Sequence, residues 1–106
     1  RSGLPQVFLR DRFAGNHVYE TSRRKAWTAV SFRTSTADLA TSTEAGQVAS
    51  GIRHLSETLP LGGGLMVFEG GGSLVAGIGV SGAPGPDLDE LCAQAGIDAI
   101  EDQIAF

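Results

Sequence analysis

A glycine-rich stretch between residues 62 and 82 constrains the fold of this chain more than any other feature. Gly62-Gly63-Gly64 precedes an apolar run over residues 65–68, and Glu69-Gly70-Gly71-Gly72 separates it from a second run over residues 73–81. Two such runs joined by a glycine turn are typical of a β-hairpin. The second run has two alternating sets of residues, one for each face of a strand: Leu74, Ala76, Ile78 and Val80 on one face, and Val75, Gly77, Gly79 and Ser81 on the other. Glycine weakens a strand, so a face with two glycines indicates close approach by a helix or by a ligand.

Three helical patterns surround the hairpin. Thr21 or Ser22 is a candidate cap for a helix that runs to about Arg33, with an alanine-rich face suited to packing on a sheet. Ser35 and Asp38 have the spacing of a second, short helix start. The spacing of Val48, Ile52 and Leu55 predicts one more helical face, which Pro60 ends.

The two ends of the chain complete the predicted elements. Residues 6–10 have the alternation of a short strand, and residues 11–17 have the composition of a loop. Asp87 and Glu90 have capping-box spacing at the start of a last helix. That helix carries an apolar stripe expected to face the core, with Cys92 a buried, inert thiol within it: Leu88, Leu91, Cys92, Ala95, Ala99 and Ile100.

The order of elements predicts an α+β fold, with a small, mainly antiparallel sheet and helices packed on it. The chain has 106 residues, which is the size of one domain, 1–106. A single cysteine excludes an internal disulfide and any zinc site built from several cysteines. No apolar run approaches the roughly 20 residues of a membrane helix, so no membrane partner is expected.

Charge is distributed unevenly along the chain. Residues 1–33 contain seven Lys and Arg and two acids, whereas residues 34–106 contain one base and ten acids, for a total of −4. Overall acidity repels phosphate backbones, so nucleic acid is not an expected partner. The basic third is either an anion site, a solvated helix face, or a surface that contacts another subunit.

Four motifs resemble the haem-binding and haem-degrading family (GlcG/HbpS-like and PduO C-terminal-domain-like). They are Arg24-Lys25-Ala26-Trp27-Thr28-Ala29, Gly62-Gly63-Gly64-Leu65, Gly77-Ile78-Gly79-Val80-Ser81-Gly82-Ala83 and Asp89-Glu90-Leu91-Cys92-Ala93-Gln94-Ala95-Gly96. The resemblance implies a bacterial protein with a profilin-like α/β sandwich, in which helices flank an antiparallel sheet. It also implies a homo-oligomer, often an octamer.

The resemblance starts after the family's first helix and first strand. By family expectation this domain lacks both, and a separate chain, a nicked precursor or a swapped segment is expected to supply them. A cytoplasmic location is favoured, with secretion or the periplasm as the alternative because the true N-terminus is not seen.

The resemblance implies haem as the cofactor and small molecules as ligands. His17 is the first candidate to ligate the haem iron, with His54 and Met66 as other donors. Each has an ordinary alternative: an exposed loop histidine, a histidine bonded to a carbonyl, and a core methionine. Arg24, Lys25 and Thr28 are candidates for a polar anion pocket, and Gly63, Gly64 and Ser81 lie where backbone amides can bind an anion.

Two functions follow from these residues and the resemblance. The first is a protein that binds haem or a related tetrapyrrole for sensing, storage or delivery. The second is an enzyme or accessory subunit that acts on a small organic acid or aromatic catabolite, with Lys25 or His17 moving protons. The sequence contains no G-x-S-x-G, H-E-x-x-H or P-loop motif, and the catalytic residues of an enzyme are unknown.

Overall fold

The computed structural model describes residues 1–104 as a mixed α+β domain, which confirms the predicted fold class. Helices α1 (Val18–Phe32) and α2 (Thr36–Ser42) come first, followed by a short 3₁₀-helix (Ser50–His54). Strands β1 (Gly64–Phe68) and β2 (Leu74–Gly79) follow, and helix α3 (Pro86–Ile104) is last.

The glycine-rich stretch forms the predicted antiparallel hairpin. Gly64 of β1 lies opposite Gly79 of β2, and the register shifts between Val67 and Phe68. The amide of Val80 donates to the carbonyl of Gly63 at 2.9 Å and extends the ladder by one residue beyond β2.

Helix α1 packs on the face of β2 that carries the two glycines. A Cβ added to Gly79 would overlap the Ser22 carbonyl oxygen, and one added to Gly77 would lie 2.6 Å from Cγ1 of Val30. Backbone therefore meets backbone at this contact, as glycine permits. Of the two occupants that the sequence left open for this face, the structure places the helix there.

A hydroxyl side chain caps α2, whereas α1 begins without a side-chain cap. Ser35 Oγ accepts a hydrogen bond from the Asp38 amide at 3.2 Å, which confirms the predicted start of α2. Helix α1 begins at Val18, so the predicted cap at Thr21 or Ser22 is wrong; the Thr21 hydroxyl donates back to the His17 carbonyl at 2.8 Å. A hydroxyl that bonds to the preceding turn lies inside a helix and does not cap it.

Two predicted elements do not form. Residues 6–10 belong to no strand, since the sheet in residues 1–104 consists of β1 and β2 alone. A strand needs a neighbour to satisfy its backbone groups, and alternation of side chains does not supply one. The predicted helical face near Pro60 is also wrong: only the 3₁₀-helix forms there, and Val48 and Leu55 are exposed.

Helix α3 faces the core with different residues from those predicted. Asp89 and Ala93 are buried, whereas Leu88, Leu91 and Ile100 of the apolar stripe are 40%, 66% and 39% exposed. Cys92 is exposed as well, so the prediction of a buried thiol is wrong. The helix is rotated so that Asp89 points inward. At its other end the Ile104 carbonyl accepts a hydrogen bond from the Gly70 amide in the hairpin turn at 2.7 Å.

The contact between α1 and β2 makes Gly79 intolerant of a side chain. We expect Gly79→Ala to lower the free energy of unfolding by about 3 kcal/mol, the upper range for an overpacked core. Gly51→Ala is the matched control, because a Cβ there meets no atom within 4 Å and the change should stay within about 0.5 kcal/mol. Urea denaturation measures both, and equal effects would contradict the close approach.

Candidate functional site

A buried ion pair lies beneath a groove that residues 7–18 and the loop after β2 line. Lys25 Nζ donates to Asp89 Oδ2 at 2.9 Å and to the Val80 carbonyl at 2.9 Å. Lys25 is 0% exposed and Asp89 is 4% exposed. The second carboxylate oxygen, Oδ1, accepts from the Ala83 amide at 2.9 Å. Both charges are therefore paired and hydrogen-bonded, which is the condition for burying them.

This pair joins three parts of the fold: α1, the loop after β2, and the first turn of α3. Gly63 permits it, since a Cβ at that residue would lie 3.0 Å from Lys25 Nζ. The pair is not predicted by the sequence pattern, because Lys25 and Asp89 lie in two separate motifs, 64 positions apart. The amine of Lys25 is engaged on two sides, so the structure gives no support to Lys25 as a freely acting proton-transfer group.

The groove has a volume of about 1060 Å³ and lies between residues 7–18 and the loop after β2. We call it the His17 groove. Its apolar lining includes Phe8, Leu9, Phe13, Leu59 and Leu61. Its polar lining includes four predicted site residues: His17, Arg24, Lys25 and Ser81. The structure thus brings together residues from three separate segments of the chain.

His17 is the exposed member of this group. It occupies the position before the first turn of α1, and its side chain makes no capping hydrogen bond. Its ring lies against Gly15, where an added Cβ would be 2.8 Å from His17 Cε1. The hydrogen bonds within residues 1–104 leave the imidazole nitrogens of His17 unengaged. An imidazole in this setting is available to a metal centre or an acidic group.

The arginines beside the groove are partly held by the chain itself. Arg24 donates from Nη2 to the Thr58 carbonyl at 2.8 Å and from Nε to the Glu57 carbonyl at 3.4 Å, and within residues 1–104 its Nη1 has no hydrogen-bond partner. Arg23 binds Glu20 at 2.8 Å and Glu57 at 2.6 Å. The hydrogen bonds that Arg23 donates to the Glu20 and Glu57 carboxylates raise the pKa of Arg23, and the bond that Glu20 accepts lowers the pKa of Glu20. Arg23 is thus compensated, and Arg24 is the better candidate to bind an anion.

The structure separates the other predicted site residues from the groove. Thr28 is fully buried, and its hydroxyl accepts from the Leu59 amide at 2.9 Å. His54 is exposed on the 3₁₀-helix, and Met66 lies half-buried in β1. Gly63 and Gly64 pack against Lys25. Gly63 leaves room for the Lys25 amine, and Gly64 leaves room for the Lys25 carbonyl group.

Metal-ligand groups and membrane-spanning helices also bear on the function. Among residues 1–104 no group of three or more His, Cys, Asp and Glu side chains is placed to hold a metal ion. In the same part of the chain, every helix is too short or too polar to cross a bilayer.

Comparison with known proteins identifies one family and several solved relatives. The family model described as haem degrading protein HbpS-like matches residues 1–98. A double mutant of HbpS from Streptomyces reticuli is 42% identical with a TM-score of 0.80, and another HbpS structure is 42% identical with a TM-score of 0.78. A PduOC:heme complex is 30% identical with a TM-score of 0.84. A search of curated proteins finds no match.

The chain is shorter than these relatives. The two HbpS matches cover 89% of this chain and 62% and 64% of the HbpS chains. The match to PduOC covers 92% of this chain and 71% of that one. Klebsiella pneumoniae protein ORFY is 28% identical, with a TM-score of 0.84 and coverage of 91% and 66%.

Breaking the ion pair beneath the groove should strongly lower the free energy of unfolding. We expect Lys25→Met to lower the free energy of unfolding by about 3–5 kcal/mol, because Asp89 would be left buried and unpaired. The double variant Lys25→Met/Asp89→Leu should lose clearly less than the sum of the two single variants, since neither charge then remains alone. Urea denaturation of the four proteins measures this coupling, and strict additivity would contradict it.

Proposed function

The chain belongs to the HbpS-like family of haem-degrading proteins, and from this premise we propose that it binds haem or a related tetrapyrrole in the His17 groove. The observation that carries the proposal is an unengaged imidazole at the rim of an apolar groove of about 1060 Å³. The solved PduOC:heme complex, 30% identical to this chain, supports the choice of ligand class.

The residues of the groove fit the chemistry of haem. A haem needs an axial donor for its iron, apolar walls for its macrocycle and cations for its propionates. His17 supplies a nitrogen donor, and the aromatic and leucine side chains supply the walls. The volume of about 1060 Å³ is slightly above the usual range of about 300–1000 Å³ for ligand pockets, which suits a large macrocycle.

Each polar residue then has a distinct role. His17 binds the iron, and Gly15 leaves room for its ring. Arg24 and Arg10 bind the propionates; Arg10 lines the groove and donates to the Ala14 carbonyl at 2.8 Å. The Lys25–Asp89 pair holds the floor in place. Haem, when bound, supplies a redox-active iron, and the chain supplies its position and surroundings.

The cellular role follows from this ligand. We propose sensing, storage or delivery of the tetrapyrrole by a cytoplasmic homo-oligomer. HbpS itself is represented by solved structures of longer chains, of which this chain covers 62% and 64%. The oligomer, an octamer in the family pattern, is proposed together with a separate or swapped segment that completes each domain. The alternative, an enzyme or accessory subunit that acts on a small organic acid or aromatic catabolite, loses support for Lys25 as its proton-transfer group, because the amine is engaged by Asp89 and by the Val80 carbonyl.

Titration with haemin tests the proposal. The protein as it exists should shift the Soret band and saturate near one haemin per chain. His17→Ala should weaken the affinity by about tenfold or more and change the spectrum, because the iron loses its axial nitrogen. His54→Ala is the matched control: this exposed histidine lies outside the groove, and its removal should leave the titration unchanged.

The outcomes separate the two parts of the proposal. An unshifted Soret band in the unaltered protein would exclude haem binding. A normal shift in His17→Ala, with far-ultraviolet circular dichroism showing a folded protein, would exclude His17 as the ligand. Loss of binding in His54→Ala alone would place the haem elsewhere.

A further inference from the structure

A segment without regular structure forms part of the apolar wall of the His17 groove. Residues 57–61 follow the 3₁₀-helix and precede β1, and Leu59 and Leu61 line the groove. The segment belongs to no helix or strand of residues 1–104, so its backbone groups need partners from elsewhere in the fold. The position of this wall therefore depends on those partners.

Helix α1 supplies the partners through two side chains that lie one turn apart. The Thr28 hydroxyl accepts a hydrogen bond from the Leu59 amide at 2.9 Å and donates to the Glu57 carbonyl at 3.5 Å. Arg24, four positions earlier on the same face of the helix, donates to the Thr58 carbonyl at 2.8 Å. Three consecutive residues of the segment are thus hydrogen-bonded to α1.

A tight turn extends the hold on Leu59 to Leu61. The Leu61 amide donates to the Leu59 carbonyl at 2.9 Å, which closes a three-residue turn around Pro60. Proline has a fixed φ and loses little by taking the centre of such a turn. Because the turn ties Leu61 to Leu59, the bond between Thr28 and Leu59 constrains both leucines.

Thr28 itself has no surface toward the groove. It is 0% exposed and does not line the groove. Its hydroxyl is fully used by the two backbone partners in the segment. A valine has nearly the same shape, but it would leave the Leu59 amide without its acceptor.

We propose that Thr28 is a positioning residue for the tetrapyrrole, and this inference rests on the proposed function of the groove. Through Leu59 and Leu61 it sets the place of the apolar wall that meets the macrocycle. The same segment receives the guanidinium of Arg24, which is assigned to a propionate. A wall that is ordered before the ligand arrives reduces the cost of ordering it on binding. Thr28 thus acts on affinity and leaves the bond between His17 and the iron unchanged.

Haemin titration of two Thr28 variants tests the proposal. Thr28→Val removes the hydroxyl at nearly constant volume and should weaken haemin affinity by about tenfold, the equivalent of one lost hydrogen bond. The Soret maximum of its haemin complex should match that of the unaltered protein, because His17 is retained. Thr28→Ser keeps the hydroxyl and should restore the affinity to that of the unaltered protein.

Thr36→Val is the matched control. Thr36 is also 0% exposed, its hydroxyl accepts from the Gly64 amide at 2.8 Å, and it does not line the groove. Both valine variants should lower the stability measured by urea denaturation, whereas only Thr28→Val should weaken haemin binding. The titrations are made at a temperature at which circular dichroism shows every variant folded.

Hydrogen exchange of the haem-free protein supplies a readout that needs no ligand. In Thr28→Val the Leu59 amide should exchange at least about tenfold faster than in the unaltered protein, because its acceptor is gone. Thr36→Val should leave the exchange of this amide unchanged.

Four results would overturn the proposal. They are unchanged exchange of the Leu59 amide in Thr28→Val, unchanged haemin affinity in the same variant, equal losses of affinity in Thr28→Val and Thr36→Val, and a loss in Thr28→Ser as large as that in Thr28→Val. An unshifted Soret band in the unaltered protein would overturn the function of the groove together with this proposal. That result is distinct from the other four, because it is read before any variant is compared.

Discussion

The buried pair between Lys25 and Asp89 is the interaction on which the rest of the structure depends. Two charges withdrawn from water must satisfy each other, and this requirement outweighs the preference of an apolar stripe for the interior. Helix α3 is therefore rotated so that Asp89 points inward and Leu91 outward. The same carboxylate holds the Ala83 amide, which fixes the loop that forms one side of the His17 groove. The shape of the His17 groove therefore depends on the buried ion pair beneath it.

A second constraint acts where α1 packs on β2. Gly77 and Gly79 have no side chains on this face, so the backbone of the helix approaches the strand closely. A Cβ at Gly79 would overlap the Ser22 carbonyl oxygen and would force the helix and the strand apart.

The sequence was sufficient for features decided by neighbours in the chain. The glycine turn specified the hairpin, and the Ser35 hydroxyl specified the start of α2. It was insufficient where distant residues decide. The Lys25–Asp89 contact spans 64 positions, and a helical stripe shows that a helix is amphipathic without showing which side is buried. Residues 6–10 have the alternation of a strand, but pairing needs an edge that local pattern cannot locate. Of the predicted site residues, His17, Arg24, Lys25 and Ser81 line one groove, whereas Thr28, His54 and Met66 lie apart from it, and the binding role of each stays a prediction.

Helix α3 is fastened to the domain near both of its ends: Asp89 in its first turn binds Lys25, and the Ile104 carbonyl at its last residue accepts the Gly70 amide. The two contacts lie near opposite ends of a helix of 19 residues, and they join it to α1 at one end and to the hairpin turn at the other. Detachment of the whole helix therefore requires both contacts to break, whereas opening at one end leaves the other contact in place.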